Sequence, residues 1–126
     1  MMISRVAVSA FVMLAPTLLH SQPAIPEGDL MGSVLHTPDG KTLYVYDGDH
    51  IGEGRSNCTK GCAALWPPYL ADNKAHASGD WSLIAREDGS KQWAYRGRPL
   101  YTWMKDGPGE TKGDGAEGNV WHLAKP

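Results

Sequence analysis

The order of apolar and polar residues divides the chain into a leader and one domain. Val6 to Leu19 is apolar except for Ser9, Pro16 and Thr17; Arg5 precedes it and polar His20-Ser21-Gln22-Pro23 follows. A positive start, a short apolar run and a small-residue exit predict a secretory signal peptide over residues 1–21, cut near Ser21 or Ala24. The run is too short, and too interrupted at Pro16, for a membrane span of about 20 apolar residues. Residues 22–29 read as an extended leader and 30–126 as a single domain. Leu30 to Thr37 and Lys41 to Asp47 are β-prone segments joined by Pro38-Asp39-Gly40, a hairpin signal. In the second segment Thr42, Tyr44 and Tyr46 share one face, and Leu43, Val45 and Asp47 the other.

Glycines and acids from Asp47 to Gly54 mark a loop. Cys58 to Trp66 carries alanines and a leucine at helical spacing and stops at Pro67-Pro68, predicting one short helix. Trp81 to Arg86, Lys91 to Tyr95 and Arg98 to Trp103 make a three-stranded meander that turns at Glu87-Asp88-Gly89-Ser90 and at Arg96-Gly97. Asp106 to Asn119 is a Gly-rich acidic loop, and Val120 to Ala124 a closing strand. The expected fold class is a small all-β or β-dominated domain with one short helix around Cys58 to Trp66.

The pattern is also duplicated. Leu43-Tyr44-x-Tyr46-x-x-Asp49 returns 57 positions later as Leu100-Tyr101-x-Trp103-x-x-Asp106. Each copy continues through a Gly and acid loop to a tryptophan, Trp66 and Trp121. Two related hairpin and meander units, at about 31–71 and 81–126, are therefore expected to pack with pseudo-two-fold symmetry. In each strand the two motif aromatics stand at i and i+2 and share a face, and the Asp falls in the exit turn. There it can accept N–H groups of the loop or a tyrosine hydroxyl, a structural role. A functional reading makes Asp49, Asp106, Trp103 and Tyr46 the mouth of a site for a metal ion or a small polar ligand.

The motif residues Tyr44, Tyr46, Asp49, Tyr101, Trp103 and Asp106 also carry a resemblance. Together with Asn57-Cys58-x-x-Gly61-Cys62-Ala63, Trp66-Pro67-Pro68, Asp88-Gly89-Ser90-Lys91-Gln92 and Gly118-x-x-Trp121, they make the chain similar to a bacterial secreted-repeat and lipoprotein family defined by Tyr-x-(Phe/Trp/Tyr)-x-x-Asp. The resemblance spans roughly residues 31–126. It implies an exported, often lipid-anchored protein of unknown function and no catalytic residues. No cysteine stands near the predicted cut, so the lipid-attachment signal of such proteins is missing and a periplasmic or secreted form is expected.

Charge narrows the classes further. Lys and Arg number 12 against 14 Asp and Glu, a formal net charge of −2, and loss of Arg5 with the leader makes it one more negative. Neither nucleic acid nor an anionic membrane is the indicated partner. No later stretch is apolar enough to span a bilayer, and a soluble monomer is expected. The one Phe, Phe11, lies in the leader, so the domain's aromatics are five Trp and five Tyr, each with a polar handle.

Cys58 and Cys62 are the only thiols. In an exported chain an even count favours a disulfide, which would pin the turn before Trp66. The alternative is a periplasmic copper or redox accessory site built on Cys58, Cys62 and His50. His36, His76, His122, Met31 and Met104 are other soft or imidazole donors, none at metal-site spacing. His122, beside Val120 and Ala124, reads as a packed histidine. The acidic loop from Asp106 to Asn119 invites a Ca²⁺ reading but lacks the EF-hand order of ligands. No triad, nucleotide loop or paired-carboxylate spacing stands out. The expectation is a non-enzymatic binding or interaction module of the cell envelope without a cofactor, whose partner is an envelope protein or a small polar ligand.

Overall fold

The computed structural model of the chain describes residues 33–126. The signal peptide, the leader, Met31 and the start of the first predicted strand lie outside the described residues. The elements run β1 (Tyr44–Tyr46), α1 (Gly61–Leu65), β2 (Leu70–Ala71), β3 (Trp81–Ala85), β4 (Lys91–Tyr95), β5 (Arg98–Pro99), α2 (Ala116–Asn119) and β6 (Trp121–Leu123). β1 and β6 form one antiparallel pair, with Tyr44 opposite Leu123 and Tyr46 opposite Trp121. β4 pairs with β3 along one edge and with β2 and then β5 along the other, all antiparallel. An antiparallel bridge between Tyr44 and Tyr101 joins the two sheets.

Pseudo-two-fold symmetry is written into the hydrogen bonds at this seam. Tyr44 N–H donates to the Tyr101 carbonyl at 2.8 Å, and Tyr101 N–H to the Tyr44 carbonyl at 3.0 Å. Asp47 N–H bonds the Val120 carbonyl as Met104 N–H bonds that of Leu65; Ala124 to Leu43 is matched by Tyr69 to Leu100, and Gly109 to Gly40 by Gly52 to Gly97. The last contact requires glycine. Gly97 has φ +80°, and a Cβ there would stand 2.9 Å from the Gly52 nitrogen. With Arg96 at φ 47°, Gly97 makes the two-residue, positive-φ turn that suits a hairpin's twist.

The strands separate two cores. Leu43 and Val45 point to one that also holds Leu35, Trp81, Trp93, Tyr95, Leu100 and Ala124. Tyr44 and Tyr46 point to the other, with Cys58, Trp66, Tyr101 and Trp121. Strand alternation therefore sorts each Leu-Tyr pair of the motif into different cores, as its period of two predicts.

Four expectations need correction. Within the described residues the first predicted strand is reduced to a bridge between His36 and Thr42, although Leu43 N–H still bonds the Leu35 carbonyl at 2.9 Å. The strand begun at Arg98 ends at Pro99: Leu100 N–H still bonds the Trp93 carbonyl of β4 at 3.0 Å, but Tyr101 turns to exchange hydrogen bonds with Tyr44 across the seam. β2 adds a short strand after Pro67-Pro68 that the polar pattern does not mark. Most consequentially, the segment read as loop before Trp121 contains the one-turn helix α2, in which Glu117, Gly118 and Asn119 all have positive φ. A Gly- and Asn-rich left-handed turn has the composition of a loop, so it carries no helical periodicity.

Candidate functional site

The motif residues are joined across the two copies. The Tyr44 hydroxyl donates to Asp106 Oδ2, and the Tyr101 hydroxyl donates to Asp49 Oδ2 at 2.5 Å. Each carboxylate's other oxygen caps its own loop: Asp49 Oδ1 accepts the Asn57 N–H at 2.6 Å and Asp106 Oδ1 that of Lys112 at 3.0 Å. The Gly113 N–H bonds the Tyr44 oxygen at 3.1 Å, and the Ser56 hydroxyl lies 2.6 Å from that of Tyr101. Burial first, and the neighbouring carboxylate second, raise both phenol pKa values strongly. Burial also raises that of Asp49, against the bonds from Tyr101 and Asn57 and the charge of Arg86.

Between the two Tyr–Asp bonds lies a stack of four rings. Trp66 and Trp121 lie face to face at 3.8 Å and 4°, Tyr46 covers Trp121 at 4.6 Å, and Trp103 covers Trp66 at 4.2 Å. Tyr44 meets Trp66 edge-on at 5.3 Å, and Tyr101 meets Trp121 at 5.1 Å. Both tryptophans and both edge tyrosines are fully buried. Burying rings of this size contributes about 4–6 kcal/mol each before chain entropy is charged against it.

The indoles of the central pair share one acceptor. Glu117 Oε2 takes the Trp121 Nε1–H at 2.9 Å and Oε1 takes that of Trp66 at 3.3 Å. Glu117 holds a left-handed backbone, φ 55° and ψ 46°, which costs a residue with a Cβ about 1–2 kcal/mol. Two indole donors that would otherwise lack acceptors offset that cost. Sequence reading passed over Glu117. The signal was present, since it stands four residues before Trp121 as Cys62 stands four before Trp66.

Cys58 and Cys62 are bonded to each other, with Cα atoms 5.2 Å apart. Cys58 precedes the helix, so its Cα is free to approach to a distance common for disulfides. His50 is exposed, and the His36 ring Nδ1 lies 3.4 Å from the Val34 carbonyl. His76 and Met104 are exposed. Among the described residues no group of three or more His, Cys, Asp or Glu side chains is arranged to hold a metal ion. In the acidic loop Glu110 accepts the Gly107 N–H at 2.6 Å and pairs with Lys112. His122 is not enclosed; it is half-exposed and pairs with Asp47 at 2.9 Å.

Tyr46 and Trp103 cap opposite ends of the stack, while Asp49 and Asp106 bond the tyrosines of opposite copies. None of these four lines the cleft beside α1 or the groove beside the β4–β5 turn. The larger, about 550 Å³, lies between residues 55–64 and the end of β3 with its turn, 85–88. Ala63, Ala64 and Ala85 give it an apolar floor, with Arg55, Ser56, Thr59, Lys60 and Arg86 around it and the acids Glu87 and Asp88 on the turn side. Arg86 is held in place: Nη1 donates to Gln92 Oε1 at 2.8 Å and Nη2 to the Cys58 carbonyl at 3.0 Å. Gln92, fully buried, anchors in turn on the Leu100 carbonyl at 2.8 Å. Neither Arg86 nor Gln92 belongs to a motif, and their partnership arises only through β3–β4 pairing. The second cavity, about 330 Å³, opens between the β1–β6 ladder and the β4–β5 turn.

Two copies of one strand, loop and tryptophan unit, closed by crossed Tyr–Asp bonds, define a duplicated β-domain. The chain belongs to the family described as a secreted repeat of unknown function, which matches it over residues 29–69 and 82–125. No curated protein and no solved structure matches it. No helix among the described residues is long and apolar enough to cross a membrane.

Proposed function

We propose that this exported domain is a non-enzymatic binding module of the cell envelope, taking a polar peptide or glycan in the cleft beside α1. One observation carries the reading: Arg86, clamped by Gln92 and the Cys58 carbonyl, faces a cleft of about 550 Å³ with N–H groups still unengaged. A guanidinium already immobilised loses little entropy when a ligand arrives. Exposed Lys60, which makes no ion pair among the described residues, and the hydroxyl of Thr59 supply further donors over an alanine floor. The Tyr and Asp side chains of the motif are engaged within the fold, so recognition falls to the segment that differs between the copies. Calorimetry with envelope-derived peptides and glycans tests this. A ligand should be recovered unchanged, and Ala64→Trp, which fills the cleft from an exposed position, should abolish its binding. Undiminished binding by Ala64→Trp, or turnover of the ligand, refutes the reading.

A further inference from the structure

The smaller cavity has a chemistry of its own. Its floor is Val45, Leu100 and Ala124, the upper surface of the first core, with Leu123 beside them. Every ionisable side chain on its walls apart from Tyr95 is basic: Arg96, Arg98, His122 and Lys125. Arg96 is balanced by Asp80 at 3.3 Å and His122 by Asp47 at 2.9 Å. Arg98 and Lys125 are exposed and make no ion pair among the described residues. Two uncompensated cations thus flank an apolar floor, in a chain whose net charge is −2. The fold does not impose this. By the pseudo-symmetry the counterparts of Arg96, His122 and Lys125 are Asp39, Pro67 and Leu70; only Arg98 has a basic counterpart, Lys41.

We infer that this groove is a second binding site, for a small free amphipathic anion: a carboxylate carried on an apolar body. The apolar body covers Val45, Leu100 and Leu123, and the acidic group bridges Arg98 and Lys125. The volume, about 330 Å³, falls at the small end of the range for ligand sites. Removal of the apolar surface from water supplies most of the affinity, and the paired cations select the charge. The site is separate from the cleft beside α1 and stands whatever that cleft binds.

The probe is octanoate below its micelle concentration, read by amide and methyl NMR shifts on the exported chain. Octanoate should shift Val45, Leu100 and 122–125. 1-Octanol and acetate, which each keep half of the chemistry, should bind at least tenfold more weakly. Arg98→Glu with Lys125→Glu, both at exposed positions, should weaken octanoate at least tenfold, while Lys74→Glu elsewhere on the surface leaves it unchanged. The inference is overturned if octanol or acetate binds as well as octanoate, if the shifts map to other residues, or if the double variant binds within twofold of the parent. Co-sedimentation with anionic phospholipid vesicles, without octanoate shifts in the groove, would also overturn it and assign the patch to a membrane surface.

Discussion

The crossed hydrogen bonds predict that the motif is coupled between copies and not within them. Tyr101→Phe removes a phenol that donates to the half-buried Asp49 at 2.5 Å, leaving the carboxylate only its Asn57 partner. A hydrogen bond to a charged group contributes about 1.5–3 kcal/mol. The single variant should therefore lose about 2 kcal/mol, or roughly 8–16 °C in Tm for a domain of this size. In a double-mutant cycle, Tyr101→Phe with Asp49→Ala should show a coupling of about 1.5–3 kcal/mol. Tyr44→Phe with Asp106→Ala should behave alike, because Tyr44 donates to Asp106. The within-copy pair, Tyr44→Phe with Asp49→Ala, should be additive to about 0.5 kcal/mol, since the two share no bond. Urea titrations followed by tryptophan fluorescence give all the free energies, provided the slope with denaturant is unchanged. Coupling of Tyr44 to Asp49 as large as that of Tyr101 to Asp49 would refute the crossed arrangement.

Other consequences are quickly checked. Gly113→Ala places a Cβ 2.7 Å from the Trp66 ring and should cost about 1–3 kcal/mol, whereas Gly61→Ala meets no atom within 4 Å and should be neutral or slightly stabilising; thermal melts of the two decide. Reducing the Cys58–Cys62 bond should cost about 2 kcal/mol in urea titrations, the small entropy of so short a closed loop, without unfolding the domain. The raised phenol pKa values of Tyr44 and Tyr101 mean that the folded state holds two protons which the unfolded state releases near pH 10. Their contribution is complete below that pH and falls by about 1.4 kcal/mol per unit for each tyrosine above it. Base titration monitored by circular dichroism should show cooperative unfolding that Tyr44→Phe with Tyr101→Phe makes shallower.

Much of the fold was legible because its signals are local. Alternation in Leu43-Tyr44-Val45-Tyr46 assigned each side chain to the correct face, and Arg96-Gly97 announced its turn through the need for positive φ. The duplicated motif announced the two related units, and the even cysteine count the Cys58–Cys62 bridge inside the first. What stayed hidden is set by long-range geometry. Nothing in one copy tells Tyr44 to seek Asp106 and not Asp49, because both lie within reach of a chain read in isolation. Glu117 looked like one acid among several in a Gly-rich loop; only the stacking of Trp66 on Trp121 gives it two donors to serve. Arg86 and Gln92 are ordinary strand and turn residues until β3 and β4 pair. The net charge likewise concealed the groove around Arg98 and Lys125, since an average over the chain has no positions in it.

The single carboxylate of Glu117 also bears on how such a domain can diversify. Two separate molecules of one half-length chain could reproduce the exchanged tyrosine bonds, each completing the other as subunits of a homodimer. They could not reproduce Glu117. Strict two-fold identity would bring either two acids or none to the paired indoles, and two would repel one another across the axis. Tandem fusion lifts that restriction, because the positions on either side of the axis then mutate independently. One side keeps a cystine and the other a shared acceptor, an asymmetry at the edge of the paired indoles that two identical half-length chains could not hold.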